Sequence, residues 1–178
     1  MNKTSTENRY VRILSTGVHL EGILSAPEDT KGLVVFVHGS GSSRHSPRNQ
    51  YVAQMLQEGG LATLLFDLLT AEEEEIDLQT RHLRFDIDLL ARRTSGVLEW
   101  LAHQPHVSQE RVGLFGSSTG AAAALITAAT LPDRVQAVVS RGGRPDLAGR
   151  ALPQVQAPTL LIVGGNDEAV IHLNEQAL

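Results

Sequence analysis

The chain of 178 residues contains no cysteine. Without thiols it cannot form disulfide bonds, and every metal site built on thiolate ligands is excluded. Aromatic residues make up only 4% of the sequence. No apolar run approaches the roughly 20 residues that a membrane-spanning helix needs. Residues 1–12 are polar and lack the apolar core of a signal peptide. These absences lead us to expect a cytoplasmic protein that neither binds a metal nor has a membrane as partner.

Positive charge is scarce and scattered. Fifteen Lys and Arg residues face twenty Asp and Glu residues, which gives a formal net charge of −5. Nucleic acids and anionic membranes attract proteins through concentrated positive charge, so this composition favours neither as a partner. A chain of this length with 42% hydrophobic residues can bury one sizeable core. We therefore expect residues 1–178 to form a single domain.

Short apolar runs alternate with amphipathic segments along the chain. Residues 10–14 and 18–25 flank a turn at Gly17 and predict an antiparallel hairpin. The later runs LVVFVHG, LATLLFDL and RVGLFGS are each followed, after a loop or turn, by a helical pattern. This alternation predicts an α/β protein: a mainly parallel, doubly wound sheet with helices on both faces and the hairpin at its N-terminus. We interpret the glutamate run 72–75 as a solvated loop.

The segment Val112–Thr130 carries the pattern most indicative of chemistry. Within it, GSSTG at 116–120 fits G-x-S-x-G and lies between a strand pattern and an alanine-rich helix pattern. This context predicts a nucleophile elbow, a sharp turn that exposes Ser118. Such a turn needs small neighbours, and the helix N-terminus would stabilise negative charge near the serine. We favour a nucleophile over two alternatives, an anion-binding turn and a merely structural one.

Residues 35–43, VFVHGSGSS, form a second candidate segment. A strand that ends in His-Gly followed by small residues can offer a backbone N–H to an oxyanion, and Thr119 would offer the other. Ser40 is the first choice for the loop donor and Gly41 the next. The alternative is a dinucleotide-binding loop, which the missing third glycine of G-x-G-x-x-G disfavours. We interpret His38 as a hydrogen-bonded structural residue rather than a base.

Asp167 follows the apolar run TLLIV in the segment TLLIVGGNDEAV. It would therefore lie in a loop at the carboxyl edge of the sheet, after the serine, as the chain order Ser…Asp…His requires. An aspartate in this place would hold an imidazole in the correct tautomer and stabilise its charged form. The alternative is that Asp167 caps the N-terminus of the next helix.

The segments VFVHGSGSS, GLFGSSTGA and PTLLIVGGNDE together resemble the α/β-hydrolase superfamily, most closely its dienelactone-hydrolase-like branch. VVSRGGRPDLAG is also similar to a loop in a subgroup sometimes fused to a phosphoribosyltransferase domain. The resemblance runs from about Val18 to the end. It implies a Ser–His–Asp hydrolase without metal or organic cofactor, with Ser118 as nucleophile and Asp167 as acid. Dienelactone hydrolases proper use a cysteine nucleophile, so dienelactone is not the expected substrate.

The resemblance also implies a catalytic histidine in a loop beyond one further strand after the acid. Only His172 follows Asp167, and residues 168–178 are too few for the dozen or more that a parallel crossover needs. His103 and His106 precede a strand and would lie at the opposite, amino edge. We therefore expect either a truncated hydrolase, C-terminally incomplete, or a degenerate one, and favour truncation.

Loops near the expected site carry further candidate substrate contacts. His45 and His82 lie in loops that could overhang the site, where either would contact substrate or replace the base. Arg141 and Arg144 follow a strand and could bind an anionic substrate group; the alternative is that they pair with Asp146 and other carboxylates. The expected reaction is hydrolysis of a small carboxylic ester through an acyl-serine. The rival expectation is a non-catalytic binding or scaffold domain, and either could be a homodimer.

Overall fold

The computed structural model describes residues 7–27, 29–105, 107 and 111–178. His106 therefore lies outside the described residues. The strands are β1 (Glu7–Ser15), β2 (Val18–Ala26), β3 (Leu33–Val37), β4 (Ala62–Phe66), β5 (Val112–Ser118), β6 (Val135–Gly143) and β7 (Thr159–Ile162). The helices are α1 (Pro47–Glu58), α2 (Ala71–Thr80), α3 (Ile87–Leu101), α4 (Thr119–Thr130) and α5 (Glu168–Glu175), with 3₁₀ segments at Leu83–Phe85 and Pro145–Gln154. Within the described ranges, every helix is too short or too polar to cross a lipid bilayer.

The described strands form one sheet in the order β1-β2-β4-β3-β5-β6-β7. β2 pairs antiparallel with both β1 and β4, whereas the remaining four pairs are parallel. The predicted mainly parallel sheet with an N-terminal antiparallel hairpin is confirmed. Because β3, β4, β5, β6 and β7 point the same way, the loops that follow them emerge at one edge of the sheet.

Helices cover both faces of the sheet, as predicted. On one face, α3 and α4 bury the larger core, to which α3 contributes Leu90, Val97, Leu98 and Leu101. On the other face, α1 packs over a smaller cluster around Phe36 and Phe115, whose ring centroids lie 5.0 Å apart. Neighbouring residues of β3 alternate between the two clusters, as the pleat of a strand requires.

β7 differs from the inner strands because its side chains are largely exposed. Leu160 and Ile162 are 56% and 44% exposed, and β7 pairs with β6 alone among the described strands. The helix that follows is anchored by a polar contact, since Asn174 Nδ2 donates to the carbonyl oxygen of Gly143 at 3.1 Å. An exposed edge with apolar side chains is a surface to which another strand can be added.

The interpretation of Glu72–Glu75 as a solvated loop is wrong, because these residues lie in α2. Thr70 caps this helix: its hydroxyl accepts from the Glu73 N–H at 3.2 Å, and the Glu73 carboxylate accepts from the Thr70 N–H at 2.9 Å. Acidic side chains favour the first turn of a helix because they interact with its dipole. Glu73 also binds the buried guanidinium of Arg93 on α3, with Nη1 2.6 Å from Oε2.

Candidate active site

Ser118 is the residue at which β5 ends and α4 begins. Its φ of 50° and ψ of −125° fall in a region that a residue with a side chain rarely adopts. Holding such a backbone costs about 1–3 kcal/mol and requires support from the surroundings. The side chain does not cap α4 and is only partly buried. The predicted sharp turn between strand and helix is therefore present, and its backbone is strained at Ser118.

Gly116 and Gly120 allow α4 to approach the strands closely. A Cβ placed on Gly116 would lie 2.4 Å from Cα of Ala121. A Cβ on Gly120 would lie 2.1 Å from the carbonyl oxygen of Val37. Both distances are far below van der Waals contact, so both positions require glycine for steric reasons. The two glycines of the G-x-S-x-G pattern are therefore also required by the close packing of the backbone at this turn.

The loop after β3, residues 38–46, packs directly against Ser118; we call it the β3 loop. A Cβ on Gly39 would lie 2.9 Å from Cβ of Ser118 and 3.1 Å from the carbonyl oxygen of Ser117. Ser40 is thus one residue from this contact. Thr119, the other predicted backbone donor, is buried as the first residue of α4. The structure brings both predicted donor segments to the same turn.

His38 is buried at the base of the β3 loop. Its Nδ1 lies 2.8 Å from the carbonyl oxygen of Gly39, and its Nε2 lies 3.1 Å from the backbone nitrogen of Leu68. Nδ1 must therefore donate and Nε2 must accept, which is the pattern of a neutral imidazole. Burial lowers the pKa of His38 and outweighs the opposing effect of the Gly39 hydrogen bond. These contacts agree with the interpretation of His38 as a structural residue.

A second tie between the β3 loop and the end of β4 was not predicted from the sequence. The backbone N–H of Arg44 donates to Asp67 Oδ1 at 2.7 Å, and the Arg44 guanidinium bonds the other oxygen of that carboxylate. Beside this pair lies a polar cleft of about 550 Å³, which reaches from Gly41 to the N-terminus of α2 at Thr70. No local pattern marks residues 23 positions apart as partners.

Asp167 lies at the carboxyl edge of the sheet, in the turn between β7 and α5. It is exposed, and its Oδ1 accepts from the Val170 N–H at 3.3 Å. The alternative that it caps the following helix is therefore observed. Among the described residues, no histidine is hydrogen-bonded to it. Both the edge position and the capping contact are compatible with a carboxylate that orients a further group.

Arg141 and Arg144 lie at the same edge as Ser118, but not both in a loop. β6 continues to Gly143, so the prediction that Arg141 follows the strand is wrong; it pairs in register with Ser117. Arg144 donates its backbone N–H to the Ser118 carbonyl oxygen at 3.0 Å. Its guanidinium binds Asp146 through contacts of 2.9 and 2.7 Å, the predicted alternative. Nε of Arg141 is buried without a hydrogen-bond partner among the described residues.

The two loop histidines are exposed. His82 Nδ1 lies 2.8 Å from the Thr80 hydroxyl, and the His45 backbone N–H donates to Ser43 Oγ at 3.2 Å. Gly41 is also exposed and has a φ of +71°. Within the described part of the chain, no histidine nitrogen is hydrogen-bonded to Ser118. The structure thus brings together the serine and the β3 loop, whereas none of the described histidines is placed as a base hydrogen-bonded to the serine.

The order and direction of the strands, the helices on both faces and the serine turn at the carboxyl edge define the α/β-hydrolase fold. Within this class, the chain belongs to the dienelactone hydrolase family, whose model matches residues 20–178.

Solved structures agree with this assignment. The chain is 61% identical to a dienelactone hydrolase from Anabaena variabilis, with a TM-score of 0.95 over 97% of this chain and 80% of that chain. A dienelactone hydrolase-like promiscuous phosphotriesterase from metagenomic libraries shares the fold at 21% identity, with a TM-score of 0.74 over 97% of this chain and 76% of that one.

Curated relatives are longer than this chain. It is 57% identical over 167 residues to proteins from two strains of Mycobacterium tuberculosis that are named as candidate phosphoribosyl transferases. The match covers 94% of this chain but only 37% of each of those proteins.

Proposed function

We propose that this chain is a serine hydrolase module that cleaves a small carboxylic ester through an acyl-enzyme, with Ser118 as the nucleophile. The observation that carries the proposal is the strained backbone of Ser118 between β5 and α4, held against Gly39 of the β3 loop. Strain of this kind persists only where the surroundings enforce it, and it is concentrated at functional sites. Membership of the dienelactone hydrolase family supports the proposal that the chain is a hydrolase.

The oxyanion of the tetrahedral intermediate would be held by backbone N–H groups of Ser40 and Thr119. Thr119 begins α4, so its N–H is not needed by the helix and negative charge there is favourable. Ser40 follows the glycine that touches Ser118. Donors that are fixed before the reaction stabilise the developing charge without reorganisation.

The base would be a histidine outside these 178 residues, oriented by Asp167. Two observations support this: Ser118 has no histidine partner among the described residues, and β7 beside Asp167 has an exposed apolar edge. A parallel strand added beside β7 would extend the sheet sideways, and the loop after that strand would emerge at the carboxyl edge, where Ser118 and Asp167 lie. A serine hydroxyl without a base is almost entirely protonated at neutral pH and attacks poorly.

The substrate would be a small acyl compound with an anionic group. Arg141 supports this proposal because its Nε is buried at the carboxyl edge without a partner, whereas the guanidinium of Arg144 is occupied by Asp146. Gly41, His45 and His82 would contact the substrate at the outer rim. In the longer Mycobacterium relatives, this chain would correspond to a hydrolase module, distinct from the part that gives those proteins their name.

A fluorophosphonate probe tests the nucleophile. We expect the unmodified protein to be labelled, if only slowly, and Ser118→Ala to abolish the labelling. Ser117→Ala is the matched control, since it removes the neighbouring hydroxyl and leaves the turn intact. No labelling of Ser118 in any form of the protein, including an extended one, would favour the rival function of a non-catalytic binding domain.

Hydrolysis of p-nitrophenyl acetate tests the base. We expect faint turnover by the 178-residue chain, because an oxyanion hole and binding alone still give roughly 10³–10⁴-fold catalysis over water. We expect strong turnover when the reading frame is continued through a further strand and a histidine-bearing loop. Loss of activity in His45→Ala or His82→Ala, but not on extension, would instead identify a replacement base within this chain.

A further inference from the structure

A charge cluster on α2 and the 3₁₀ segment Leu83–Phe85 has no part in the proposed chemistry. At its centre, Asp77 is fully buried and accepts the backbone N–H groups of Leu83 and Arg84 at 2.7 and 3.3 Å. The guanidinium of Arg84 also bonds this carboxylate through Nε. Burial alone would raise the pKa of Asp77, but the hydrogen bonds from Arg84 and Leu83 outweigh it and lower the pKa. Asp77 is thus a buried anion that fixes Arg84.

Arg84 is held on one side and reaches the β3 loop with the other. Nη2 donates to the Asp77 carbonyl oxygen at 3.3 Å and lies 3.8 Å from Glu74. Nη1 lies 3.6 Å from the Cβ position of Gly41 and has no hydrogen-bond partner among the described residues. The Arg84 side chain is only 16% exposed. A nearly buried guanidinium is therefore placed against the apex of the β3 loop.

The β3 loop needs support at this apex. His38 ties its start to Leu68, and Arg44 ties its later part to Asp67, as described above. Between these ties, one backbone hydrogen bond closes a turn, from the Ser42 N–H to the Gly39 carbonyl oxygen at 3.2 Å. Gly41 lies in this turn with a left-handed backbone. Glycine has more conformational freedom than any other residue, so the apex is the least restrained part of the loop.

We propose that Arg84, fixed by Asp77, is a positioning residue that holds the apex of the β3 loop and thereby the oxyanion donor at Ser40. This inference rests on the proposed function. The pocket between Arg84 and the loop is lined also by Leu68, Leu69 and Leu90, and its volume of about 10 Å³ leaves room for about one water molecule. Loss of the guanidinium would therefore leave a gap into which the loop can move.

The rate of phosphonylation of Ser118 by a neutral fluorophosphonate tests the proposal, in this chain and in its extended form. We expect Arg84→Gln and Asp77→Asn to slow labelling about tenfold or more, less than the 10²–10³-fold that loss of an oxyanion donor itself causes. Arg84→Lys should also slow it, because a lysine cannot span Asp77 and Gly41 as the planar guanidinium does. Arg92→Gln, which changes an exposed arginine of α3, is the matched control and should label normally.

Amide hydrogen exchange at Ser40 and Gly41 gives a readout that does not depend on the chemistry. We expect faster exchange at these two amides in Arg84→Lys while Tm stays within about 2 °C of the unmodified protein. Normal labelling and normal loop exchange in Arg84→Lys and Arg84→Gln would overturn the proposal. An effect confined to anionic probes would also overturn it, because Arg84 would then contact the substrate itself. If no form labels at Ser118, the proposed function fails, and loop exchange alone decides whether Arg84 positions the loop.

Discussion

Gly39 and Ser118 are packed so closely that a single methyl group on Gly39 would lie 2.9 Å from Cβ of Ser118. The next contact of that methyl would be the Ser117 carbonyl oxygen at 3.1 Å. The β3 loop and the serine turn therefore leave no room between them for an added methyl group. We expect a change on one side of this contact to displace the other.

Gly39→Ala should displace the serine turn, because neither neighbouring atom belongs to the mobile end of a long side chain. We expect fluorophosphonate labelling of Ser118 to fall at least tenfold, with a loss of about 1–3 kcal/mol in the free energy of unfolding for the overpacked contact. Gly165→Ala is the control, since a Cβ there meets no atom within 4 Å. Labelling of Gly39→Ala at the unmodified rate would contradict the role of this contact.

Gly120→Ala should destabilise the whole protein rather than the site alone. The added Cβ would lie 2.1 Å from the Val37 carbonyl oxygen and 2.3 Å from that of His38, both backbone atoms of the sheet edge. α4 would have to move away from β3, so we expect a loss at or above the upper end of the usual 1–3 kcal/mol for overpacking. Urea unfolding measures it, with Gly164→Ala as the control; equal midpoints for both variants would refute the expectation.

The sheet and the serine turn were predictable because their signals are local. Apolar runs of strand length, alternating with helical patterns, are enough to predict a mainly parallel sheet. At Ser118 the small residues, the preceding strand and the following helix occupy one continuous segment. The candidate nucleophile and acid were also found from local context, and the family resemblance agrees with them, but no rule of spacing places a loop such as residues 38–46 against the serine. The direction of parallel strands does, since it brings the loops after β3 and β5 to one edge.

α2 carries one local signal, the capping-box pair Thr70 and Glu73, but the partners that hold its body in place cannot be read from the sequence. Its sequence AEEEEIDLQT has no apolar stripe, and only Asp77 is buried within it. The helix is fixed through Glu73 to Arg93, 20 residues away, and through Asp77 to Arg84. Charged residues in a sequence carry no information about such pairing. Similarly, the extension of β6 to Gly143 depends on its pairing with Ser118 and not on its own composition.

His38 should make stability dependent on pH near neutrality. Burial lowers its pKa in the folded protein below the ordinary value. The unfolded chain therefore takes up a proton first as the pH falls below about 6.5, and the folded protein loses stability by at most about 1.4 kcal/mol per pH unit for one group. Urea unfolding between pH 7.5 and 5.5 should show this decline, and His38→Asn should reduce it. The same substitution at exposed His103 is the control, and an unchanged decline in His38→Asn would contradict the assignment.

Glu73 and Arg93 should dominate the stability of the α2 region. The Arg93 side chain is 3% exposed and the Glu73 side chain 25%. Glu73→Gln leaves a buried cation without its anion, which typically costs about 3–5 kcal/mol, and partial exposure favours the lower end. Glu75→Gln, an exposed position on the same helix, is the control. Combining Glu73→Gln with Arg93→Met should recover part of the loss, because the unpaired charge is gone.

The Glu73–Arg93 pair should also make the free energy of unfolding depend on pH in the acid range. The hydrogen bonds from Arg93 are the main reason that the pKa of Glu73 lies below its ordinary value in the folded protein. Its contribution is therefore complete above the unfolded pKa of about 4.3 and is lost as the pH falls through the lower, folded value. We expect the difference in unfolding free energy between unmodified protein and Glu73→Gln to be constant from pH 7 to 5. The difference should shrink below about pH 4. There the Glu73 carboxyl group of the unfolded chain becomes protonated, and it is then as neutral as the amide that replaces it in the variant. A difference that stays constant down to pH 3 would show that packing, and not the charge on Glu73, holds α2 in place.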